Sequence, residues 1–293
     1  MSKIKVVRHR SRLEQSMKRI LSLSALVLIT ASLLPAQTSG GQAPQPQPAN
    51  PQSGAPSQPA TESKVKAAKT QQEYAAYLAA ASEQDMAKAD AAVNDFATKF
   101  PESDLRSILY EQLMRRYQQA NNADKTLEMG HKVLALDPDS VFALIMVSSV
   151  LAERTNDTDL DLQQRRDEIL KDSSRAIQLI DSGAFKPAQF TSDQLNSIKS
   201  MAYAAQGTVE LIGKNDKAAE DSLRKATELN SMNPEPAVWL RLAIAMDHQK
   251  KYGDALTAAN RAVQLSANEP DVLKMATQEQ TRLKQLADTK AAP

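Results

Sequence analysis

An internal repeat constrains this chain more than any other feature. Lys225-Ala226-Thr227-Glu228-Leu229 recurs as Arg261-Ala262-Val263-Gln264-Leu265, at an offset of 36 residues. The same frame sets Tyr203 under Trp239, Gly207 under Ala243 and Ala219 under Ala255. Self-similarity at this period marks an array of small units, each unable to bury both of its faces alone. The best-preserved unit is 236–262. Its first half carries Trp239, Leu242, Ala243 and Met246 at i, i+3, i+4 and i+7, one face of a helix. After Gly253, Ala255, Leu256, Ala259, Ala262 and Val263 form a second stripe, rich in small residues. Alanines on a buried face let a partner helix approach closely, so the two halves pack as an antiparallel hairpin.

Weaker copies extend the series upstream. Residues 132–138 end in Leu136-Asp137-Pro138, with Tyr110, Leu113 and Tyr117 on the preceding helix. A further copy ends at 96–101, with Tyr74 and Leu78 on its first helix and Ala89 and Val93 on its second. Aromatic content of 4% and 8 glycines favour helices over a strand-rich fold. Pro101, Pro138, Pro187, Pro234, Pro236 and Pro270 all fall between periodic segments, where a proline starts a helix without breaking one. Asn233 and Asn268 stand as N-caps, and Thr191 with Gln194 has the capping-box form. The unit from Val141 is stretched: its first helix reaches about Glu153, yet its second ends some nine residues late, at Leu179. A loop at 154–159 or an elongated second helix absorbs the insertion, and a second irregular loop spans 181–190.

These repeats resemble the tetratricopeptide repeat (TPR) family, whose unit is a helix-turn-helix with an aromatic residue, a leucine-glycine pair, spaced alanines and a closing proline. The last unit carries the resemblance best, through Trp239, Leu242, Ala243, Tyr252, Ala255 and Ala262, whereas Gly207 alone keeps the glycine. The resemblance implies an all-α fold: a TPR-like right-handed superhelical array of about five helical hairpins over 63–288. A final helix over 271–288, with Leu273, Ala276, Leu283 and Leu286 on one side and polar residues on the other, caps it. Residues 289–293 are expected to form a disordered tail.

The N-terminus has a different texture. Residues 1–36 carry a local charge of +6, and 20–34 hold none, before Pro35 and Ala36. A basic start, an apolar run and a small residue at the exit match a secretory signal peptide, and fifteen residues are short for a membrane span. Leu34 fits a cleavage site poorly, so a retained membrane anchor is the alternative, and Met17 is an alternative start. Residues 37–62 are a Pro/Gln-rich linker: 37–60 hold six prolines and six glutamines, and too little apolar surface to offset ordering entropy. The body that remains carries about −5 against a total of +1, which gives no electrostatic reason to bind nucleic acid. Without cysteine, disulfides, thiolate metal sites and lipoprotein processing are excluded.

No catalytic, cofactor-binding or metal-binding constellation emerges. His9, His131 and His248 are isolated in sequence. Asp157, Asp159, Asp161 and Glu168 have part of a calcium-loop spacing, but Leu162 takes the position that needs glycine, and Arg165 and Arg166 stand beside it. The sequence therefore predicts a protein without enzymatic activity. In the resembled family the first helix of each hairpin lines a concave groove for a protein or peptide partner. Carried over by frame, that surface comprises Glu111, Gln112, Arg115 and Gln119, then Ile145 and Ser149, then Ala204 and Thr208, then Leu240, Arg241, Ile244 and His248. Trp239 falls on the packing face instead. The reading is an exported TPR scaffold for protein–protein interaction in the cell envelope, periplasmic or secreted. Its alternative is an inner-membrane-anchored TPR subunit of an envelope assembly complex, touching the membrane only through an uncleaved N-terminal segment. An enzyme with a site invisible in sequence is the distant third.

Overall fold

The computed structural model describes residues 66–185 and 187–291; the leader and linker expected over 1–62 lie outside the described residues. Eleven α-helices and no strand make up what is described. They are α1 (Gln71–Ser82), α2 (Met86–Lys99), α3 (Leu105–Gln119), α4 (Ala123–Leu136), α5 (Val141–Arg154), α6 (Leu162–Asp181), α7 (Ser192–Ile212), α8 (Asp216–Leu229), α9 (Pro236–His248), α10 (Tyr252–Leu265) and α11 (Pro270–Ala291). Successive helices pack in pairs, giving five hairpins and a last helix, as the repeat frame predicts. The last helix runs on to Ala291, into the segment read as a tail. None of the described helices is long and apolar enough to cross a membrane.

Local chemistry sets the helix ends. Side chains of Thr70, Asp85, Asn122 and Ser140 each accept a hydrogen bond from the backbone amide three residues on, satisfying a donor that the helix itself leaves free. Thr191 and Gln194 form a full capping box. Helix α9 starts differently from the expected Asn233 cap: Glu235 takes that place without a side-chain bond, and Pro236 follows inside the first turn.

Three hairpins share one turn. Asn121, Lys214 and Lys250 all adopt positive φ, at 54°, 62° and 63°. Asn122 N–H donates to Tyr117 O, Asn215 N–H to Glu210 O and Lys251 N–H to Met246 O, at 2.8–3.0 Å. That six-to-one bond closes a Schellman motif after α3, α7 and α9, and it reverses the chain immediately. The stretched unit lacks it. There α5 ends in extended Thr155, residues 155–161 form a loop, and α6 is itself long at 20 residues, so both expected ways of absorbing the insertion are used.

Packing follows residue size. Ala219 and Ala226 of α8, and Ala255, Ala258, Ala259 and Ala262 of α10, are buried against first helices. Gly207 on α7 permits a close approach, because a Cβ there would stand 2.5 Å from Leu223 Cγ. First helices also touch the next first helix, α5 on α7, α7 on α9 and α9 on α11. Helix α9 is thereby surrounded by α7, α8, α10 and α11 and buried on every side. Trp239 packs against this core, partly buried. At the other end Tyr74 and Leu78, which the frame set on the first helix of the weakest copy, are 52% and 46% exposed. Helix α1 buries Glu73 and Ala80 and packs Tyr77 edge-on to Phe96 instead, the inner face being the only one that meets a described neighbour. The loop at 181–190 is held by a three-ring cluster of Phe142, Phe185 and Phe190, with Gly183 in the left-handed region at its start.

Candidate functional site

The concave side of the stack encloses a cavity of about 440 Å³ in the middle of the array. Helix α5 supplies most of its wall through Met146, Ser149, Val150, Ala152, Glu153 and Arg154, and Asn156 follows in the loop. Met201, Ala204 and Ala205 of α7, Gln118 of α3 with the turn to α4, and Glu235 and Arg241 complete the lining. Ser149 and Arg241 of the sequence-derived set reach it, with Ala204 beside them. Gln112, Arg115, Gln119, Thr208, Leu240, Ile244 and His248 are not in its lining.

Each of those finds another role or place. Arg115 pairs with Glu111 at 2.7 Å and lies over the Phe142 ring, 4.4 Å from its centroid, bracing α3 on α5. Thr208, Leu240 and Ile244 are buried, the last two in the core around α9, so they offer no free surface. Ile145 is likewise buried. His248 Nδ1 lies 2.7 Å from Asp216 Oδ1, joining the end of α9 to the start of α8. Gln112 is half-buried and Gln119 exposed, both on α3 outside the cavity. The acidic loop is also committed: Asp161 pairs with Arg165 at 2.8 Å, Asp159 accepts from the Asn156 amide, and Glu168 meets His131 at 2.8 Å.

The cavity's central contact spans three repeats. Arg241 Nη2 donates to both carboxylate oxygens of Glu153, at 2.9 and 3.0 Å, so α9 and α5 are joined across α7. Arg241 is only 9% exposed, and a charge-assisted bond so shielded from water contributes on the order of 2 kcal/mol. Arg154 turns outward to Asp124 at 2.5 Å. Glu235 makes no side-chain hydrogen bond at its cap position, and its burial pushes its carboxyl above the ordinary range despite Arg241 nearby. On α3, Gln118 Oε1 is buried without a hydrogen-bond donor. The walls are otherwise mainly methionine, valine and alanine.

Sequence reasoning missed Glu153, Glu235 and Gln118. Glu153 was legible in part, standing one turn beyond Ser149 on the same face. Glu235 was not, because it lies between two prolines before the first helical turn, outside the repeat frame.

Helical hairpins are stacked in series, with alanine-faced second helices and first helices turned toward one concavity. The fold is TPR-like. No protein-family model matches the chain. No curated protein matches it either. Among solved structures, a thermophilic TPR protein from Thermus thermophilus is similar at 14% identity and a TM-score of 0.42, over 71% of this chain and 98% of that one. A likeness so loose says nothing of a ligand or partner.

Proposed function

We propose that this chain is an exported, non-enzymatic scaffold of the cell envelope that holds a segment of a partner protein in its central concavity. The observation that carries the reading is the cavity itself: about 440 Å³, with Met146, Val150, Met201 and four alanines set among ten polar or charged lining residues. Its volume suits several residues of an extended or helical segment, and the Arg241–Glu153 bridge ties α9 to α5 beside it. The signal-like 1–36 and the uncharged 37–60 support export, because together they deliver the body outside the cytoplasm and hold it away from a surface.

A photo-crosslinking residue at Ser149 in the native cell tests the partner site, with one at Lys217 on α8 as control. Adducts to a protein at Ser149 and not at Lys217 support the scaffold reading; the same adducts at both positions, or none at Ser149, overturn it. Intact mass separates export from anchoring. A mature chain beginning near Gln37 supports export, whereas one that keeps 1–36 supports the membrane-anchored alternative.

A further inference from the structure

We propose that the occupant of the cavity inserts a basic side chain, arginine or lysine, carried by a partner protein; this rests on the reading of the concavity as the partner site. Counting charges on the walls gives the sign. Glu153 is engaged by Arg241 at 2.9 and 3.0 Å, and Arg154 by Asp124 at 2.5 Å outside the lining. These pairs cancel. Glu235 is the one remaining charged residue of the lining, and its carboxylate has no hydrogen-bond or ion-pair partner among the described residues.

Hydrogen-bond chemistry points the same way. Gln118 lines the cavity from α3, and its Oε1 is buried without a hydrogen-bond partner. A carboxylate without a partner in the lining, beside a lining amide whose oxygen lacks a donor, matches a donor-rich cation. An anionic ligand would have to displace Glu153 from Arg241 and then sit beside Glu235, a like charge. A purely apolar ligand would seal Glu235 off from water unpaired, which is costly for a carboxylate. Guanidinium or ammonium on a methylene stem satisfies both demands, because the stem lies along apolar wall while the head pairs with the Glu235 carboxylate. Met146, Val150 and Met201 supply that wall. At about 440 Å³ the space exceeds one side chain, so residues flanking the basic one enter with it, which favours a protein segment over a free amine.

The test is an array of end-blocked heptapeptides with randomised apolar flanks and one fixed central residue: arginine, lysine, citrulline, norleucine or glutamate. Binding of the full chain is read in solution by fluorescence anisotropy on the strongest members. The arginine and lysine sets are expected to bind at least tenfold tighter than citrulline, the neutral isostere of arginine. Glu235→Gln should bring the arginine set down to the citrulline level with the thermal midpoint retained. Equal binding of arginine, citrulline and norleucine sets, preference for glutamate, or an unchanged ratio in E235Q overturns the basic-anchor proposal while the partner site stands. Agmatine competing at the same concentration as the arginine peptides overturns the protein source. If no set binds, the reading of the concavity as a partner site falls with it.

Discussion

In the α9–α10 hairpin the first helix ends at His248 and the second begins at Tyr252, whereas in the α5–α6 hairpin α5 ends at Arg154 and α6 does not begin until Leu162. The first keeps the 36-residue period and closes with a Schellman turn at Lys250; the second breaks the period and leaves through extended Thr155. Their first helices fare differently as a result. Both faces of α9 are covered, because the tight turn lays α10 flat along it and α11 covers what remains. The last turn of α5 has no such cover, and Glu153, Arg154 and Asn156 face the concavity or its rim. The regular α9 is thus mostly consumed by packing and reaches the cavity only through Arg241, with Glu235 at its cap, while the stretched unit brings Glu153, Arg154 and Asn156 to it.

The largest effect should come from the grip that finishes the regular end. Arg282 on α11 pairs with Asp247 of α9 at 2.5 Å and with Glu279 at 2.7 Å, and both carboxylates are almost fully buried. Arg282→Met keeps the volume and takes the cation away from two buried carboxylates, at a cost of about 3–5 kcal/mol. The thermal midpoint should fall by roughly 10 °C. In the stretched unit, Arg165 holds Asp161 at 2.8 Å and Asp159 at 3.5 Å in a loop open to water. Arg165→Met should cost less than about 1 kcal/mol. Equal losses in the two variants would show that the two hairpins are held alike.

Helix α6 itself carries a buried carboxylate, Asp172, as part of the stretched unit. Burial pushes its carboxyl up to about 6, helped by the Glu168 charge and opposed by Lys171 and His131. Because the folded-state value is raised, the folded chain binds this proton more tightly than the unfolded chain, and stability falls as pH rises from about 4 through about 6. Asp172→Asn removes the charge and should raise stability at pH 7 by about 1–2 kcal/mol, with little change at pH 4. Glu220 of α8 is the opposite case in the regular half. Burial pushes its carboxyl up, but bonds from Lys251, Arg224 and Gln249 outweigh that and hold it at about 2. Its stabilisation is present above the ordinary carboxylate range near 4.5 and is lost as pH falls toward 2. Urea unfolding of both carboxamide variants across pH 2–8 would resolve the two slopes, and slopes of the same sign would refute the assignment.

Much of this architecture was legible in the sequence. The offset linking 225–229 to 261–265, the alanine stripe of α10 and the prolines between units defined hairpins, their number and the capping helix, because helical periodicity survives in every copy. Facing was less legible. A stripe assigns one buried face per helix, and so it left Leu240 and Ile244 exposed; it could not register that α7 and α11 converge on α9 from other directions. The converse holds on α1, where Tyr74 and Leu78 hold the repeat positions of an interior unit but one flank has no described neighbour. The cavity walls were the least legible part. Glu153 acquires meaning only from Arg241, 88 residues away, and a pairing so distant in the chain leaves no trace in local pattern.

The turns were hidden because none has glycine at its positive-φ position, and they give the smallest and most local comparison. Lys250 is held at φ 63°, where its Cβ crowds the following carbonyl at about 1–2 kcal/mol per residue. Glycine removes that crowding but gives the unfolded chain more freedom to lose, so the gain from Lys250→Gly should be a net of about 0.5–1 kcal/mol. Its side chain is exposed and makes no hydrogen bond or ion pair among the described residues, so little is forfeited. Thr155 ends α5 at φ −83°, ψ 138°, ordinary extended backbone, and its hydroxyl donates to Leu151 O at 2.7 Å in a buried setting. Thr155→Gly relieves nothing and loses that bond, so it should destabilise by about 1–2 kcal/mol. Opposite signs at two positions that both end a first helix are expected only if one turn is left-handed and the other extended. Paired chemical denaturation of the two variants reads those signs directly; a gain at Thr155 or a loss at Lys250 would mean that the stretched hairpin closes as the regular one does.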